Sequence, residues 1–382
     1  MVRRGRQWLG PGQVRLNAGM ETEAIAESMS RFVRSTAKRA PLYARLAAGV
    51  AARPEVLEIL AAVPPNHRAP VALFAAVHDR LLAEPGQELA AWYPNLTVHP
   101  RTDDPVPAFA AFCRAHRDEL IGLVAGRFPQ TNEIGRRALL LVGLADVASR
   151  FGPLAHLDVG ASAGLNLLIE HYGYDYSGHR LGGDRLVLRC EVRGTGALPD
   201  AIPSFTTHQG LDADPVNLAD ADQVRWLEAC VWPDQTDRFE RLRTAVAIAR
   251  KQGIRVRRGD AVADLDAALD ALGTDGHPVV TTSWVLSYLS ERHRADFVAA
   301  LDERGQRRDL SWVYLEAEAY APGLPRPARP ADPELTSLTV VEWRSGTRSV
   351  RQLATCHPHG YNLRWTGGGQ GREANGEAFN RR

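Results

Sequence analysis

The sequence predicts an α/β protein, in which a mostly parallel sheet with closing antiparallel strands follows an all-helical domain. Apolar residues recur at helical spacing over residues 21–150, where no β-alternation is found. From residue 154 onward, strand-like and helix-like segments alternate about five times, which is typical of parallel strands joined by crossover helices. Two strand-like segments, 337–344 and 347–355, then follow each other across a short turn and indicate an antiparallel pair.

Composition limits the function classes. The chain has 382 residues, which is enough for two domains, and a net charge of +1, which gives no general attraction to nucleic acid or anionic membranes. Its four cysteines show no paired spacing, as expected of reduced thiols. No stretch approaches the length of a membrane-spanning helix. We therefore expect a cytoplasmic protein without nucleic-acid or membrane partners.

The domain predictions follow from the same patterns. Residues 1–20 contain no apolar signal-peptide core and are expected to form a disordered extension. A helical cap or substrate domain is expected over 21–150 and a sheet domain over 151–366, and the Gly-rich residues 367–382 are expected to be disordered.

Each element of the two domains has its own local signal. Apolar spacing or a proline at the start indicates the helices, which are expected around Ile25–Val33, from Pro41, at Leu57–Leu60, at Val71–Val77 and at Phe109–Leu123. Apolar runs indicate the strands, which are expected before Gly160, at Arg185–Val192, before Asp212, at Ile254–Arg258, from His277 and at Trp312–Glu316. Buried stripes indicate helices after Trp232 and at Glu291–Leu301.

A small-residue turn, Asp-x-Gly-x-Ser-x-Gly over residues 158–164, is the centre of the predicted sheet domain. Gly160 and Gly164 permit backbone angles and close approaches that a side chain would block. A helical pattern follows the turn directly. We expect the start of that helix to direct free N–H groups towards a ligand in the crevice of the sheet.

The turn has two functional interpretations beside a purely structural one. It resembles the nucleotide-binding turn of class I S-adenosylmethionine-dependent methyltransferases. As Gly-x-Ser-x-Gly it also matches the nucleophile elbow of an α/β-hydrolase, with Ser162 as nucleophile. A hydrolase needs a later acid and base, such as Asp260 or Glu316 with His293 or His357. No His-Gly-Gly-Gly oxyanion motif precedes the turn, and Asp158 suits a nucleotide site better.

Acidic residues recur where successive strands are expected to end. Asp212 is placed to accept hydrogen bonds from ribose hydroxyls, and Asp260 from the amine of adenine. Asp212 follows the Gly-rich turn by about 50 residues instead of about 20, so an inserted hairpin is expected. An Asx turn at Asp212 and a helix cap at Asp260 are the structural alternatives. The ordered signals Asp158, Asp212 and Asp260 resemble a Rossmann-like class I methyltransferase.

Four motifs resemble one bacterial family, the domain of unknown function 2332, over about residues 27 to 366. They are Gln130-Thr131-Asn132-Glu133, Gly160-Ala161-Ser162-Ala163-Gly164-Leu165-Asn166-Leu167, Trp232-Pro233-Asp234-Gln235 and His359-Gly360. The methyltransferase-like motifs imply an S-adenosylmethionine-dependent methyltransferase that acts on a small molecule. A methyltransferase-like protein that binds a ligand or partner without catalysis is the main alternative, followed by the hydrolase.

The expected site combines these motifs. For the cofactor S-adenosylmethionine it consists of Asp158, Gly160, Ser162, Gly164, Asn166, Asp212, Asp260, Ala261 and Ser283. For a small-molecule methyl acceptor it consists of Gln130, Asn132, Glu133, Arg136, Tyr288, Glu316 and His359. No metal is expected, because Cys356, His357 and His359 lie too close together in the chain and lack a distant ligand pair.

The acceptor residues near 130 depend on a predicted helix. Thr131 or Asn132 is a suitable N-cap, and the apolar residues that follow predict a helix buried on all sides beyond its first turn. On a helical projection, Asn132 and Arg136 share the face opposite Ile134. We expect this helix start to lie above the Gly-rich turn and to line the acceptor pocket.

Overall fold

The computed structural model describes residues 11–323 and 335–366, and for residues 11–20 it describes the backbone alone. The chain divides into two compact units. The helical unit consists of Met1–Thr131 and Asp220–Arg243, and the sheet unit consists of Asn132–Ala219 and Thr244–Arg382. The protein is thus of mixed α/β class, with a large, mostly parallel sheet, as predicted.

The described helices and strands are numbered in chain order. The α-helices are α1 Pro11–Thr36, α2 Pro41–Val50, α3 Pro54–Ala61, α4 Pro70–Ala83, α5 Val106–Ala115, α6 Arg117–Gly126, α7 Arg136–Phe151, α8 Ala221–Ala229, α9 Thr236–Gln252, α10 Leu265–Asp270 and α11 Glu291–Arg307. The strands are β1 Leu154–Val159, β2 Gly173–Tyr176, β3 His179–Gly182, β4 Val187–Arg193, β5 Phe205–Asp212, β6 Val256–Arg258, β7 His277–Ser283, β8 Leu310–Ala317, β9 Thr336–Arg344, β10 Thr347–Cys356 and β11 Asn362–Trp365.

In the helical unit, aromatic side chains pack within a mostly aliphatic core, and a later chain segment completes it. The rings of Tyr43 and Phe74 stack with centroids 4.8 Å apart. Trp226 on α8 is buried in the same core. The carboxylate of Asp234 accepts hydrogen bonds from the Leu42 amide, 3.2 Å from each oxygen, at the start of α2, where helix amides have no intrahelical partner. These contacts explain why residues 220–243 belong to the helical unit.

The unit boundaries differ from the expected domains. The first continuous part of the helical unit ends at Thr131 and not near residue 150. The unit also includes residues 220–243, which were expected in the sheet domain. Helix α1 begins at Pro11, so the expected extension over 1–20 is helical in its second half. Residues 1–10 and the expected tail at 367–382 lie outside the described residues.

The sheet unit contains a doubly wound parallel core. The strand order among the described residues is β3-β2-β4-β11-β10-β9-β8-β7-β1-β5-β6. Strands β6, β5, β1, β7 and β8 pair in parallel, and β9 and β10 follow as the predicted antiparallel strands. From β1 the chain proceeds to β5 and β6 on one side, and to β7 and β8 on the other. The boundary between β1 and β7 is therefore the switch point, where open α/β sheets bind ligands.

No α-helix follows the Gly-rich turn, so the predicted helix there is wrong. The chain forms two short 3-10 helices, Leu165–Leu167 and Ile169–His171, and then enters β2. The hydroxyls of Tyr172 and Tyr174 donate to the carbonyls of Leu165 and Ile169, at 2.8 and 2.7 Å. Because these tyrosines satisfy the carbonyls, the segment does not need a helical hydrogen-bond ladder. The expected insertion is present as β2, β3 and β4.

Helix α7 begins later than predicted, at Arg136, with Gly135 at its N-cap position. Asn132 and Glu133 therefore lie in the preceding loop, and neither Thr131 nor Asn132 is the cap. Glu133 Oε1 accepts a hydrogen bond from the Gly135 amide at 3.0 Å, which satisfies a backbone donor at the helix entry. The first nine residues of α7 are all buried, as the apolar pattern predicts.

Candidate functional site

The Gly-rich turn lies at the carboxyl end of β1, beside the switch point. Its backbone has positive φ at Gly160, Ser162 and Gly164, with values of 76°, 50° and 71°. The left-handed region is readily adopted by glycine and is uncommon for serine. This conformation includes a tight turn closed by the Gly164 amide and the Ala161 carbonyl, and the two glycines are the residues that the sequence indicated.

The amides of this turn are used internally, so the expected set of free N–H donors is wrong. The Gly160 amide donates to the carbonyl of Leu211 at 2.8 Å, and the Gly164 amide donates to the carbonyl of Ala161 at 2.8 Å. The Ser162 amide donates to Asp212 Oδ2 at 2.8 Å. A phosphate site of the P-loop type requires such amides to point at the ligand, and these three amides do not meet that requirement.

Asp212 at the end of β5 anchors the turn from the neighbouring strand. Besides the Ser162 amide, its carboxylate accepts a hydrogen bond from the Asp214 amide, 2.8 Å from Oδ1. The residue is half-buried. Each carboxylate oxygen has a second lone pair, so both oxygens can still accept a hydroxyl. The Asx-turn alternative is therefore present in the structure, and it is compatible with the ribose role.

Asp158 is a buried carboxyl group close to the turn. Its Oδ1 accepts a hydrogen bond from the Thr281 hydroxyl at 2.6 Å, and Oδ2 has no hydrogen-bond partner among the described residues. Burial raises the pKa of Asp158 to about 6, against the hydrogen bond from Thr281 and the charge of the buried Arg137, which lower it. Asp158 can therefore change its protonation state near neutral pH.

Asp260 makes turn contacts but is not the helix cap of the structural alternative, because α10 begins at Leu265 with Asp264 at its N-cap position. Its Oδ1 accepts hydrogen bonds from the amides of Val262 and Ala263, at 2.8 and 2.9 Å, which lower the pKa of the carboxyl group. Asp260 is exposed and Ala261 is half-buried. The carboxylate thus stabilises the turn before α10, and its predicted contact with adenine stays a prediction.

The loop before α7 reaches the Gly-rich turn. Asn132 Nδ2 donates to Ser162 Oγ at 2.6 Å. The Arg136 guanidinium donates to the carbonyl of Pro358 at 2.8 Å and to the carbonyl of Ser283 at 3.2 Å. It also lies 5.6 Å from the centre of the Trp284 ring, within the range of a cation–π interaction. The structure therefore brings Asn132 and Arg136 to the ends of β1 and β7.

Two further predicted acceptor residues form a pair beside this loop. The buried Glu133 carboxylate lies 3.2 Å from His359 Nδ1. The backbone amide of His359 donates to the ring of His357 at 3.1 Å. A carboxylate beside an imidazole nitrogen orients the ring and favours its protonated form. Gln130, the remaining residue of that motif, belongs to the helical unit.

The other predicted residues have different surroundings. Glu316 is buried, and its two oxygens accept the amides of Val285 and Leu286 at 3.0 and 3.2 Å, so the side chain holds the loop after β7. Burial raises its pKa to about 7, against the lowering effect of those hydrogen bonds. Tyr288 in that loop is 73% exposed. Asn166 is half-buried in the first 3-10 helix. Their ligand contacts stay predictions.

Sequence reasoning missed a set of polar residues beneath the site: Arg137, His156, Thr281 and His208. His156 and Thr281 are completely buried in β1 and β7. The available signal is the period of two along a strand, which places His156 on the same face as Asp158. Strand register, which the sequence does not reveal, brings His208 and Thr281 to this pair, and Arg137 comes from α7.

The described residues contain no group of three or more His, Cys, Asp or Glu side chains arranged to hold a metal ion. Within the same residues, no helix combines the length and apolarity needed to span a membrane.

Comparison with known proteins assigns the chain to a family. A family model described as "Uncharacterized protein conserved in bacteria (DUF2332)" matches residues 26–365, so the chain belongs to this family. No curated protein and no solved structure matches the chain.

Proposed function

We propose that this member of the DUF2332 family binds S-adenosylmethionine at the carboxyl edge of its sheet and transfers the methyl group to a small molecule. The main support is the Gly-rich turn beside the switch point, whose amides at Gly160, Ser162 and Gly164 are already used. A ligand at this turn therefore needs no phosphate group to satisfy backbone donors. S-adenosylmethionine is a nucleoside derivative without phosphate.

The residues at the sheet edge can hold such a nucleoside. The remaining lone pairs of Asp212 would accept the ribose hydroxyls, and Asp260 with Ala261 would lie beside the base. Asp158 has a carboxyl oxygen without a described partner, which would serve the polar end of the ligand. Around it, the cofactor contacts that the motifs imply are Gly160, Ser162, Gly164, Asn166 and Ser283. The bound cofactor would supply an electrophilic methyl group.

The loop before α7 would recognise the acceptor. Arg136 is fixed by the carbonyls of Pro358 and Ser283, and Asn132 is fixed by Ser162, so both polar groups are held in place before a ligand binds. Glu133 and His359 would add a carboxylate–imidazole pair that can hydrogen-bond to the acceptor. A small polar molecule is the acceptor class that suits these groups.

Isothermal titration calorimetry with S-adenosylmethionine and with its demethylated product tests the cofactor. We expect micromolar binding, or about 8 kcal/mol. Asp212→Ala should weaken binding by about 1–3 kcal/mol because it removes the acceptors of the ribose hydroxyls. Asp214→Ala, at a neighbouring exposed carboxylate, is the matched control and should bind normally. If neither nucleoside gives a heat of binding with folded protein, the proposal is wrong.

An acceptor screen that detects the demethylated product tests turnover. We expect Arg136→Ala to lower turnover or acceptor affinity far more than cofactor affinity. Cofactor binding with no turnover across the screen would instead support the alternative of a methyltransferase-like binding protein.

One observation favours a second candidate, the hydrolase, because Ser162 has the positive φ of a residue on a strained turn. Its hydroxyl is hydrogen-bonded to Asn132, however, and an amide cannot act as the base that activates a serine. A fluorophosphonate probe separates the two candidates. We expect no labelling of Ser162 and normal cofactor affinity in Ser162→Ala, whereas stoichiometric labelling of Ser162 would reverse the ranking.

A further inference from the structure

A row of polar side chains crosses three adjacent parallel strands beneath the candidate site. His156 and Asp158 lie on the same face of β1 because they are two residues apart. Strand register places His208 of β5 beside His156, and Thr281 of β7 beside Asp158. The half-exposed Glu170, on the second 3-10 helix, adjoins the end of this row. Such a row is unusual in a parallel sheet, whose faces are normally apolar.

Hydrogen bonds connect the row without a gap. Glu170 Oε2 lies 3.1 Å from His208 Nε2, and His208 Nδ1 lies 3.0 Å from His156 Nδ1. His156 Nε2 lies 2.8 Å from Thr281 Oγ1, and that hydroxyl lies 2.6 Å from Asp158 Oδ1. The chain therefore runs from a side chain at the surface to a carboxyl group that is 1% exposed.

We infer that these five side chains form a proton-transfer path between Asp158 and the protein surface at Glu170. Every internal member can both donate and accept a hydrogen bond: the Thr281 hydroxyl, and the two nitrogens of each imidazole. A proton can therefore move along the row by successive shifts, with no side chain leaving its place.

The path has two states that hold the same number of protons. In the first state, neutral Asp158 donates to Thr281, which donates to His156 Nε2. His156 Nδ1–H then donates to His208 Nδ1, and His208 Nε2–H donates to the Glu170 carboxylate. This state leaves Asp158 without charge and His208 neutral.

In the second state, Thr281 donates to the Asp158 carboxylate, and His156 Nε2–H donates to Thr281. His208 Nδ1–H donates to His156 Nδ1, while His208 Nε2–H still donates to Glu170. Asp158 has thus lost its O–H bond, and His208 has gained a second N–H bond. At Thr281 and His156, one bond to hydrogen breaks for each one that forms, so neither residue changes its number of protons. The displaced charge is an imidazolium beside a carboxylate.

The electrostatics of the buried groups agree with both states. His156 is neutral in each of them, and burial lowers its pKa well below the usual value, with a further lowering by Arg137 of α7 and by His208. Arg137, His208 and Thr281 also favour the ionised form of Asp158, while its burial and the Asp212 carboxylate of β5 oppose that form. At the outer end, burial raises the pKa of Glu170, but the hydrogen bond and charge of His208, the Glu170 backbone amide and the charge of His171 together lower this pKa below its usual value. The carboxylate is therefore ionised.

The path provides a use for the buried carboxyl group in catalysis. Methyl transfer to an O–H, N–H or S–H acceptor releases one proton in a site where the bound cofactor and acceptor would separate this proton from solvent. Asp158 would take up this proton, and the path would deliver it to His208 and then to solvent. This use depends on the proposed function, whereas the existence of the path does not.

Nuclear magnetic resonance of the free protein tests the path. The measurements are the ¹⁵N shifts that identify the His156 tautomer and the ¹³C shift of the Asp158 carboxyl group, both as a function of pH. We expect the fraction of His156 that carries its proton on Nε2 to equal the ionised fraction of Asp158 at each pH. His277, a buried imidazole bonded to Ser311 outside the row, is the internal control, and its tautomer should not follow Asp158.

Two variants test the central link. Thr281→Ser should keep the linkage between His156 and Asp158 because it retains the hydroxyl, whereas Thr281→Val should abolish it. If His156 keeps one tautomer while Asp158 titrates in the unmodified protein, the inference is wrong, and this outcome requires no variant to fold. These measurements use the protein without cofactor, so a negative result would not bear on the calorimetric test of S-adenosylmethionine. A negative calorimetric result would likewise not bear on the proton-transfer path.

Discussion

Gly160 provides a quantitative test of the Gly-rich turn. Its backbone has φ of 76°, and a Cβ at this position would lie 2.3 Å from Val285 Cγ2 in the loop after β7. Gly160→Ala therefore has two costs. Holding a non-glycine residue in the left-handed region costs about 1–2 kcal/mol, and overpacking a filled site costs about 1–3 kcal/mol. We expect the free energy of unfolding to fall by about 2–5 kcal/mol.

Gly346, in the turn between β9 and β10, is a matched control, because it also has φ of 76° and no atom lies within 4 Å of an added Cβ. Gly346→Ala should therefore cost only the conformational part, about 1–2 kcal/mol. Urea denaturation gives both values if the slope of unfolding free energy against urea concentration stays constant. The difference between the two variants then measures the clash with Val285.

A double-mutant cycle tests the assigned cause. Val285→Ala removes the atom that the new Cβ would meet, so it should cost less in the Gly160→Ala background than alone, with a coupling of about 1–3 kcal/mol. Equal costs for Gly160→Ala and Gly346→Ala, or no coupling to Val285, would refute this account of the turn.

Two other predictions concern a helix cap and a buried carboxyl group. Asp234→Ala should lower the free energy of unfolding by about 0.5–2 kcal/mol, measured by urea denaturation, because the Leu42 amide of α2 loses its acceptor. The exposed pair of Glu27 with Arg31 is the control, and Glu27→Ala should have almost no effect. Since the folded state raises the pKa of Glu316 from 4.5 to about 7, it binds more protons than the unfolded state between these values, so Glu316 should make stability fall as pH rises through that window. Urea denaturation between those pH values should show a smaller fall for Glu316→Gln, and an unchanged fall would contradict the assignment.

The fold class is predictable from the sequence because its signals are local. The alternation of strand and helix patterns after residue 154 identifies the parallel core, and the two adjacent strand patterns near the end identify β9 and β10. The burial of α7 on all sides also follows from its apolar sequence. Each of these signals lies within the element that it predicts.

Other features depend on contacts between distant residues. The run Leu165–Ile169 has a helical composition, but the tyrosines at 172 and 174 satisfy its carbonyls and favour 3-10 turns. Residues 220–243 belong to the helical unit because Trp226 packs in the core of that unit and Asp234 contacts α2. Nothing within those segments identifies these partners.

In the candidate site too, local signals predict some features, and contacts between distant residues determine the others. The sequence identifies the Gly-rich turn, and the structure brings Asn132 to it and Arg136 to the end of β7. Arg136 lies on a helix as expected, whereas Asn132 lies in the loop before it. The loop conformation of Asn132 arises from the later start of α7. For Asp212 and Asp260, composition allows both a ligand role and a turn role, and the structure shows the turn contacts.

The missing helix and the polar row are connected. A crossover helix after β1 would normally cover one face of β1 and β5 with apolar side chains, and two histidines on that face would then be buried without a carboxylate. The 3-10 segment that replaces the helix places Glu170 within hydrogen-bond distance of His208, which in turn satisfies His156. Because a buried imidazole without partners is costly, the departure from the expected strand–helix pattern is what makes these histidines, and the path to Asp158, possible.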